Sequence, residues 1–310
     1  MLHIFKKRDY HFDFMKGRRW AYALSIAMVV AAFAAFAARG LNYGIDFNGG
    51  VLIEAESASP VDMEALRGQL SGLDDLSIQS VGTAGRGVLI QTQPKADETA
   101  ESVVAQIKTI LGADYTYNQV EVLGPTIGQE LKEKSLLASI LALLAISIYI
   151  WFRFEWPFAL GCLVSLAHDL IIVVGLFALF RIEFDMIVVA GLLSLAGYDC
   201  NDTIVTYDRI RENLKKFRKM PVDEILNKSL NETLSRTILT AVTTMFSVLV
   251  LLFVGGETLS GFSIALALGT IFGTYSSIYI AAPMLRMFDI RGLGTSAEPD
   301  FNKPLSTTRN

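Results

Sequence analysis

The sequence predicts an α-helical membrane protein with six transmembrane helices and one α+β domain outside the membrane. The chain has 310 residues, of which 52% are hydrophobic, and its mean hydropathy is +0.42. Its apolar residues are concentrated in uninterrupted runs of about 17–23 residues, a length that crosses a bilayer core roughly 30 Å thick. Acidic and polar residues return between the first and second runs, and this segment predicts the separate domain.

Several classes of function have no support in the sequence. The two cysteines, Cys162 and Cys200, lie in apolar segments, so they predict neither a disulfide framework nor a metal cluster. The sequence has no phosphate loop of the GxxxxGK[ST] type, no HExxH motif and no nucleophile elbow. We therefore expect no enzymatic activity, no cofactor, no metal and no nucleic-acid partner.

The first apolar run, 20–38, follows a basic segment, 1–19. Such an arrangement also occurs in secretory signal peptides, and Ala35-Phe36-Ala37 resembles a cleavage site. The apolar part of a signal peptide has roughly 7–15 residues, and this run is longer. The length favours a retained transmembrane helix.

Residues 39–132 predict the extracytoplasmic domain. Strand-like and helix-like patterns alternate in the order β-α-β-β-α-β, which is the ferredoxin-like plan. A glycine-rich stretch, 82–87, joins the second and third strands, and we interpret it as a hairpin loop because no helix follows it to bind phosphate. The predicted strands are 51–56, 76–81, 88–92 and 116–123, and the predicted helices are 61–70 and 98–111.

The five remaining apolar runs are joined by short connections, except for a polar segment of the chain, 208–236. Lys and Arg concentrate on the cytoplasmic side of membrane proteins. This rule places the N-terminal segment, Arg153, segment 208–236 and the tail 285–310 in the cytoplasm, and the domain and the turns near Glu183 and Glu257 outside. Both termini are then cytoplasmic. The runs are 136–152, 158–180, 186–207, 237–254 and 262–284.

Ionisable residues inside the predicted spans are candidates for function, since a carboxylate near the bilayer centre costs about 2.5–3.5 kcal/mol. His168 and Asp169 fall near the middle of the third span. Asp199 and Asp202 are three residues apart in the fourth span and therefore share one face of a helix. At the depth of Asp202 the fifth helix begins with Arg236, so these two residues are predicted to form a buried pair or a proton-controlled switch.

Structural explanations remain open for the same residues. Arg236 would reach the membrane surface if it extended along its helix. Independently, Asp202 would serve only as a hydrogen-bond acceptor near the end of its helix, and Asp169 would form a helix–helix hydrogen bond with a neighbouring Ser or Thr. Asp208 and Arg209 begin a stretch that reads as a solvated extension of the fourth helix. The residues alone indicate proton or ion movement through a helical bundle, and they name no cargo.

Several motifs resemble the SecF family of protein-export membrane proteins, which belongs with SecD to the resistance-nodulation-division superfamily. The resemblance spans roughly residues 15–290. Its motifs are Gly44-Ile45-Asp46-Phe47-Asn48-Gly49-Gly50, Phe152-Arg153-Phe154-Glu155-Trp156, Ala167-His168-Asp169, Leu234-Ser235-Arg236-Thr237, and Gly197-Tyr198-Asp199-Cys200-Asn201-Asp202-Thr203 continuing through Asp208-Arg209 to Asn213.

The resemblance implies half of a twelve-helix transporter-like bundle that pairs with SecD in the bacterial inner membrane. It implies work beside the SecYEG channel, with YajC and YidC as further accessories, the SecA ATPase as an indirect partner, and unfolded preprotein and lipids in contact. The family's proton-coupling carboxylate falls on Asp202 and its arginine on Arg236. The Gly44 to Gly50 element is expected to act as a hinge.

This chain departs from the family pattern at three positions. Asp199 and Cys200 stand where the family usually has serine and an aliphatic residue, and Asn48 stands where threonine is common. Two other functions are left open by the residues. One is an exporter of small molecules or ions, and the other is an assembly factor that transports nothing.

Overall fold

The computed structural model describes residues 11–82, 85–95 and 98–291. The basic residues predicted near the N-terminus at 6–8, part of the glycine-rich stretch 82–87 and the tail from 292 lie outside the described residues. The α-helices are α1 (Phe14–Arg39), α2 (Ile45–Asn48), α3 (Met63–Gln69), α4 (Ala100–Leu111), α5 (Pro125–Arg153), α6 (Trp156–Phe180), α7 (Met186–Lys216), α8 (Val222–Val254), α9 (Ser260–Ser276) and α10 (Ala282–Met284). The strands are β1 (Asn42–Tyr43), β2 (Gly50–Ser57), β3 (Asp74–Val81), β4 (Gly87–Gln93), β5 (Tyr115–Leu123) and β6 (Glu183–Phe184).

The α+β domain is a four-stranded antiparallel sheet with the strand order β3-β4-β2-β5. Alternation along β2 turns Val51, Ile53 and Ala55 to one face, where they are fully buried. Helices α3 and α4 cover that face with Leu66 and Ile107 among others. The elements follow the order predicted from the sequence, and the other face of the sheet is left for the rest of the molecule.

The second face of the sheet lies over one end of the helical bundle, which we call the domain end. A cavity of about 500 Å³ lies between them. Leu52, Leu89 and Gln91 line it from the sheet, and Glu183 and Asp185 line it from the turn between α6 and α7. Strand β1, just after α1, pairs in parallel with β6 in that turn, so the domain and the bundle are joined at several points.

Five described helices are long and apolar enough to cross a membrane. They cover Phe14–Arg39, Thr126–Arg153, Trp156–Phe180, Val222–Val254 and Ser260–Met287. The fourth predicted span, 186–207, lies in α7, which packs among these helices but does not meet the same criterion. The molecule is therefore a mostly helical, multi-pass membrane protein with a small sheet domain.

The centre of the bundle is formed by α6, α7 and α9, and glycines allow α6 to approach α1 and α9 to approach α7 closely. A Cβ on Gly175 would stand 2.3 Å from the Cβ of Ala32 on α1, and one on Gly269 would stand 2.3 Å from the side chain of Leu195 on α7. Only glycine permits these contacts. Helices α5 and α8 lie at the periphery, and most of their apolar side chains are exposed in this single chain.

Segment 208–236 is more regular than a loop. Helix α7 continues to Lys216 and α8 begins at Val222, so only a short turn separates two helix ends. The extension predicted from Asp208 onward is therefore present. Arg209 pairs with Glu232 at 2.7 Å within this helical hairpin. Asp208 pairs with Arg153 of α5 at 2.8 Å, which ties the hairpin to the end of the bundle opposite the domain.

Candidate functional site

Four ionisable side chains are buried together in the middle of the bundle. His168 and Asp169 lie on α6, and Asp199 and Asp202 lie on α7, with exposed fractions of 7%, 0%, 1% and 9%. Buried charges in a membrane protein require partners. The structure thus brings together the three aspartates and the histidine that the sequence singled out. Their hydrogen bonds differ and are described one residue at a time.

Asp202 accepts one hydrogen bond on each carboxylate oxygen. The hydroxyl of Thr237 on α8 donates to Oδ1 at 2.9 Å, and the hydroxyl of Ser277, just after α9, donates to Oδ2 at 2.8 Å. One carboxylate therefore connects three helices. A change in its protonation state changes contacts to two of them at once.

Arg236 does not form the ion pair that the sequence predicted as one possibility. Its side chain is exposed, and among the described residues no carboxylate lies within 4.0 Å of it. Arg236 precedes Thr237 on α8, and one residue turns a helix by about 100°, so it faces outward while Thr237 faces Asp202. It is still close enough to act electrostatically on Asp202.

Asp169 also has donors on both oxygens. The Nδ1 atom of His168 lies 2.8 Å from Oδ1, and the hydroxyl of Ser276 donates to Oδ2. The ring of His168 stacks on Tyr275 of α9 with centroids 6.3 Å apart. This histidine is therefore held by one hydrogen bond and one ring contact at the centre of the bundle.

Asp199 is different from the other two aspartates. Among the described residues, no hydroxyl or N–H donor reaches either of its oxygens. Its carboxyl group lies near the carboxyl group of Asp169, close enough for the two groups to interact. Gly273 on α9 leaves room for it, because a Cβ at that position would stand 2.8 Å from Oδ1 of Asp199.

The remaining motif residues of α7 divide between its two faces. Gly197 and Asn201 are exposed, Thr203 is buried, and the hydroxyl of Tyr198 contacts Thr240 and Thr244 of α8. The structure thus brings Thr203 into the buried cluster and leaves the first two outside it.

The segment from Gly44 to Gly50 connects α1 to the sheet and lies at the domain end. The amide of Gly44 donates to the carbonyl of Phe184 at 3.0 Å, and Phe47 packs on the same residue. A carboxylate oxygen of Asp46 accepts from the amide of Met186, the first residue of α7, at 3.0 Å. The segment therefore contacts the helix that carries Asp199 and Asp202.

Two glycines end this segment because their backbone conformations exclude other residues. Gly49 has φ 73° and Gly50 has φ 141°. A Cβ on Gly50 would also stand 2.8 Å from the carbonyl oxygen of Thr92 on β4. Glycine is required here both by backbone conformation and by the close approach of a strand.

A carboxylate at the domain end joins the sheet to the bundle. The side-chain amide of Gln91 donates to both oxygens of Glu183, at 2.8 and 3.0 Å. Burial raises the pKa of Glu183 above its ordinary value, the hydrogen bond from Gln91 opposes the rise, and Asp185 and Asp46 add to it. Burial likewise raises the pKa of Asp185.

Sequence reasoning missed Ser276 and Ser277, and it included Thr237 in a family motif without giving it a role. Small hydroxyls are common in membrane helices, where most of them bond to their own backbone, so the sequence offers no signal that separates Ser276 and Ser277 from the others. The chain around Ser277–Ala281 forms a π-helix, a feature frequent at functional sites. Among the described residues, no group of three His, Cys, Asp or Glu side chains is placed to hold a metal ion.

Comparison with known families gives two matches in this chain. The family described as protein export membrane protein SecD/SecF, C-terminal, matches residues 103–291. The SecD/SecF GG motif matches residues 34–61, which include the Gly44 to Gly50 segment.

Curated relatives match over most of their own length. The protein translocase subunit SecF of Rickettsia felis is 40% identical over 283 residues, covering 89% of this chain and 92% of the relative. The subunit of the same name from Pseudomonas aeruginosa is 43% identical over 276 residues, covering 88% and 90%.

Solved structures of SecDF show the same architecture in a longer chain. The translocon-associated SecDF of Thermus thermophilus is 35% identical, with a TM-score of 0.81, covering 91% of this chain and 39% of that one. A SecDF structure in a super-membrane-facing form is 34% identical, with a TM-score of 0.69, covering 93% and 40%. From its sequence, its fold and these relatives, this chain belongs to the SecF family of protein translocase subunits.

Proposed function

We propose that this chain is an accessory subunit of the Sec protein translocase that works with a SecD partner and uses the proton motive force to promote late steps of export. Its relatives are named translocase subunits, and the solved relatives contain SecD and SecF together and are translocon-associated. The SecYEG channel, SecA, YajC and YidC are further partners in this proposal. The cargo is an unfolded preprotein.

The proposal includes a topology with six spans, in which α7 is the fourth in chain order and is added to the five helices described above. Both termini lie in the cytoplasm of a bacterial inner membrane, and the α+β domain, with the strand order of a ferredoxin-like fold, lies outside. The grouping of Arg153, Arg209 and Arg211 at the end opposite the domain supports this orientation.

The observation that carries the proposal is the position of Asp202. Ionised, its carboxylate accepts from Thr237 and Ser277, and hydrogen bonds to a charged group contribute about 1.5–3 kcal/mol each. Protonation turns one oxygen into a donor and weakens both bonds. One proton moving through 100 mV supplies about 2.3 kcal/mol, which is comparable to one of these bonds.

The same helix carries the effect to the domain. Met186 is sixteen residues from Asp202 along α7, or roughly 24 Å at the helical rise. Its amide bonds Asp46 in the glycine-rich segment. A shift of α7 at Asp202 therefore moves the attachment of the α+β domain, which alternately holds and releases the emerging chain. His168, Asp169 and Asp199 lie beside this path.

Preprotein export in cells that lack the native protein tests the proposal. Export is measured with the membrane potential present or collapsed, at matched expression and matched copurification with SecD. We expect Asp202→Asn to lose the gradient-dependent part of export. Asp223→Asn changes a half-buried carboxylate that pairs with Arg286 outside the cluster, and this control should retain it.

Two substitutions of Arg236 test whether its positive charge takes part in the coupling. If its positive charge acts on Asp202 from a distance, Arg236→Lys should retain gradient-dependent export and Arg236→Met should lose it. Normal export by both Asp202→Asn and Arg236→Met would contradict the proposal and would make this chain a structural scaffold for its partners.

A further inference from the structure

The carboxyl groups of Asp169 and Asp199 form a second buried unit beside Asp202. Asp202 has two hydroxyl donors of its own, and Asp169 has His168 and Ser276. Asp199 has no such donor among the described residues, although it is 1% exposed. A buried carboxylate without a donor would lose its hydration with nothing in return, so its charge state needs a different explanation.

The proximity of the two buried carboxyl groups supplies that explanation. Two ionised carboxylates have no hydrogen to share and repel each other, whereas a carboxylic acid next to a carboxylate forms a short, strong hydrogen bond. Asp169 is the acceptor, since two other groups already donate to it. Asp199 is then the member that carries the proton.

We propose that Asp169 and Asp199 bind one proton between them, as a carboxylic acid on Asp199 hydrogen-bonded to the carboxylate of Asp169, and that this pair is a proton-binding site distinct from Asp202. The pair has a net charge of −1, and Asp169 then accepts three hydrogen bonds. Neutral His168 donates through Nδ1, which leaves its Nε2 without a proton.

Two further buried hydroxyls adjoin the pair. Ser165 precedes Asp169 by four residues on α6, and Thr203 follows Asp199 by four residues on α7, so each shares a helix face with its carboxyl group. Neither hydroxyl has a hydrogen-bond partner within the described chain. Because α6 and α7 run in opposite directions, both lie on the side of the pair away from the domain. They provide the next hydrogen-bonding groups for a proton that leaves the pair.

In the part of the chain that the structure describes, eight other ionisable side chains surround the pair. Asp202 is the charged neighbour on α7, and Arg236 on α8 lies beyond it. The other ionisable side chains around the pair are His168 on α6, Tyr198, Cys200 and Tyr207 on α7, Cys162 on α6 and Tyr275 on α9.

Infrared spectroscopy of the full chain in lipid nanodiscs tests the inference. A protonated carboxylic acid gives a carbonyl band that an ionised carboxylate lacks, and labelling aspartate with carbon-13 assigns the band to this residue type. At neutral pH we expect one aspartic acid band from the pair. Asp199→Asn should remove it, Asp169→Asn should shift it because the acceptor changes, and Asp202→Asn should leave it in place.

Two further variants serve as controls for the assignment of the band to Asp199. Gly273→Ala keeps all carboxyl groups but displaces the Asp199 carboxyl, and it should shift the band without removing it. Asp185→Asn removes an aspartate at the domain end whose pKa is also raised, and it should not affect the band. An unlabelled band from Glu183 is excluded by the aspartate label.

An unchanged spectrum in Asp199→Asn would overturn the inference, as would a band that disappears in Asp202→Asn. Any role of the shared proton in the export cycle rests on the proposed function. The spectrum does not depend on export, so failure of the pair and failure of gradient coupling at Asp202 are recognised separately.

Discussion

The hydrogen bonds between Gln91 and Glu183 provide a sharp test of how the α+β domain is attached to the bundle. Gln91→Met keeps the length of the side chain and removes the amide that donates to both carboxylate oxygens at 2.8 and 3.0 Å. A hydrogen bond to a charged group contributes about 1.5–3 kcal/mol. Glu183 is partly exposed, so we take the lower limit, about 1.5 kcal/mol, for the pair.

Hydrogen exchange measures this loss directly. The amides of Gly44 and Met186 bond across the same junction, to Phe184 and Asp46. A loss of about 1.5 kcal/mol should make their exchange roughly tenfold faster, because exchange follows the free energy of local opening. The control is Gln93→Met, two residues along the same strand and also half-buried. Equal exchange in wild type and Gln91→Met would refute the reasoning.

The stability of the same junction should depend on pH, and the direction of this dependence follows from the pKa of Glu183. Burial raises the pKa of Glu183 in the docked state, whereas a separated, hydrated Glu183 would return towards the ordinary value of 4.5. The docked state then binds the proton more tightly, so docking strengthens as the pH falls through the raised pKa towards 4.5 and is constant below it. After correction for intrinsic exchange, protection of Gly44 should rise over this range. Glu183→Gln should weaken the dependence, leaving the share of Asp185.

Three other substitutions test the packing of the fold. Ile53→Ala should destabilise the α+β domain by about 2–5 kcal/mol through the cavity it creates, measured by denaturant unfolding, while Val122→Ala on the exposed face should have little effect. Tyr207→Phe removes a buried hydroxyl that donates to a main-chain carbonyl at 3.0 Å and should cost about 1–3 kcal/mol in thermal unfolding, with the exposed Tyr149→Phe as its control. Arg153→Gln breaks an exposed ion pair with α7 and should change stability by at most about 1 kcal/mol, so a larger loss would show that the pair belongs to a coupled network.

The parts of the fold that were predictable depend on local patterns. Apolar runs located five membrane-length helices, and alternation located the four strands of the sheet in their order. The runs were shorter than the helices, as at α8, which begins at Val222 rather than near 237. The reason is that α8 begins with several helical turns rich in polar residues, and a search for apolar runs does not detect helix of this composition. The two-residue pairing of β1 with β6 is too short to leave a pattern.

The sequence predicted how far along their helices the site residues lie, but it did not predict which way their side chains face. Counting residues placed Asp202 and Arg236 at similar depth, but it did not show that Arg236 faces outward. A one-residue difference in position along α8 decides which side chain meets Asp202, and Thr237 occupies that place. The contact between Asp199 and Asp169 joins two helices, and such a contact depends on how the helices rotate against each other.

The polarity of α7 also has a consequence for the synthesis of the protein. This helix carries two buried aspartates, and a charged aspartate at the centre of a membrane helix costs about 2.5–3.5 kcal/mol during insertion. Helix α7 is therefore poorly suited to enter a bilayer alone. In the six-span topology proposed above, a short turn joins α6 to α7, so we expect the two helices to enter the bilayer as a hairpin that brings Asp199 to Asp169. A defect in Asp169 would then appear first as incomplete insertion of the following helix, before any defect in the finished protein.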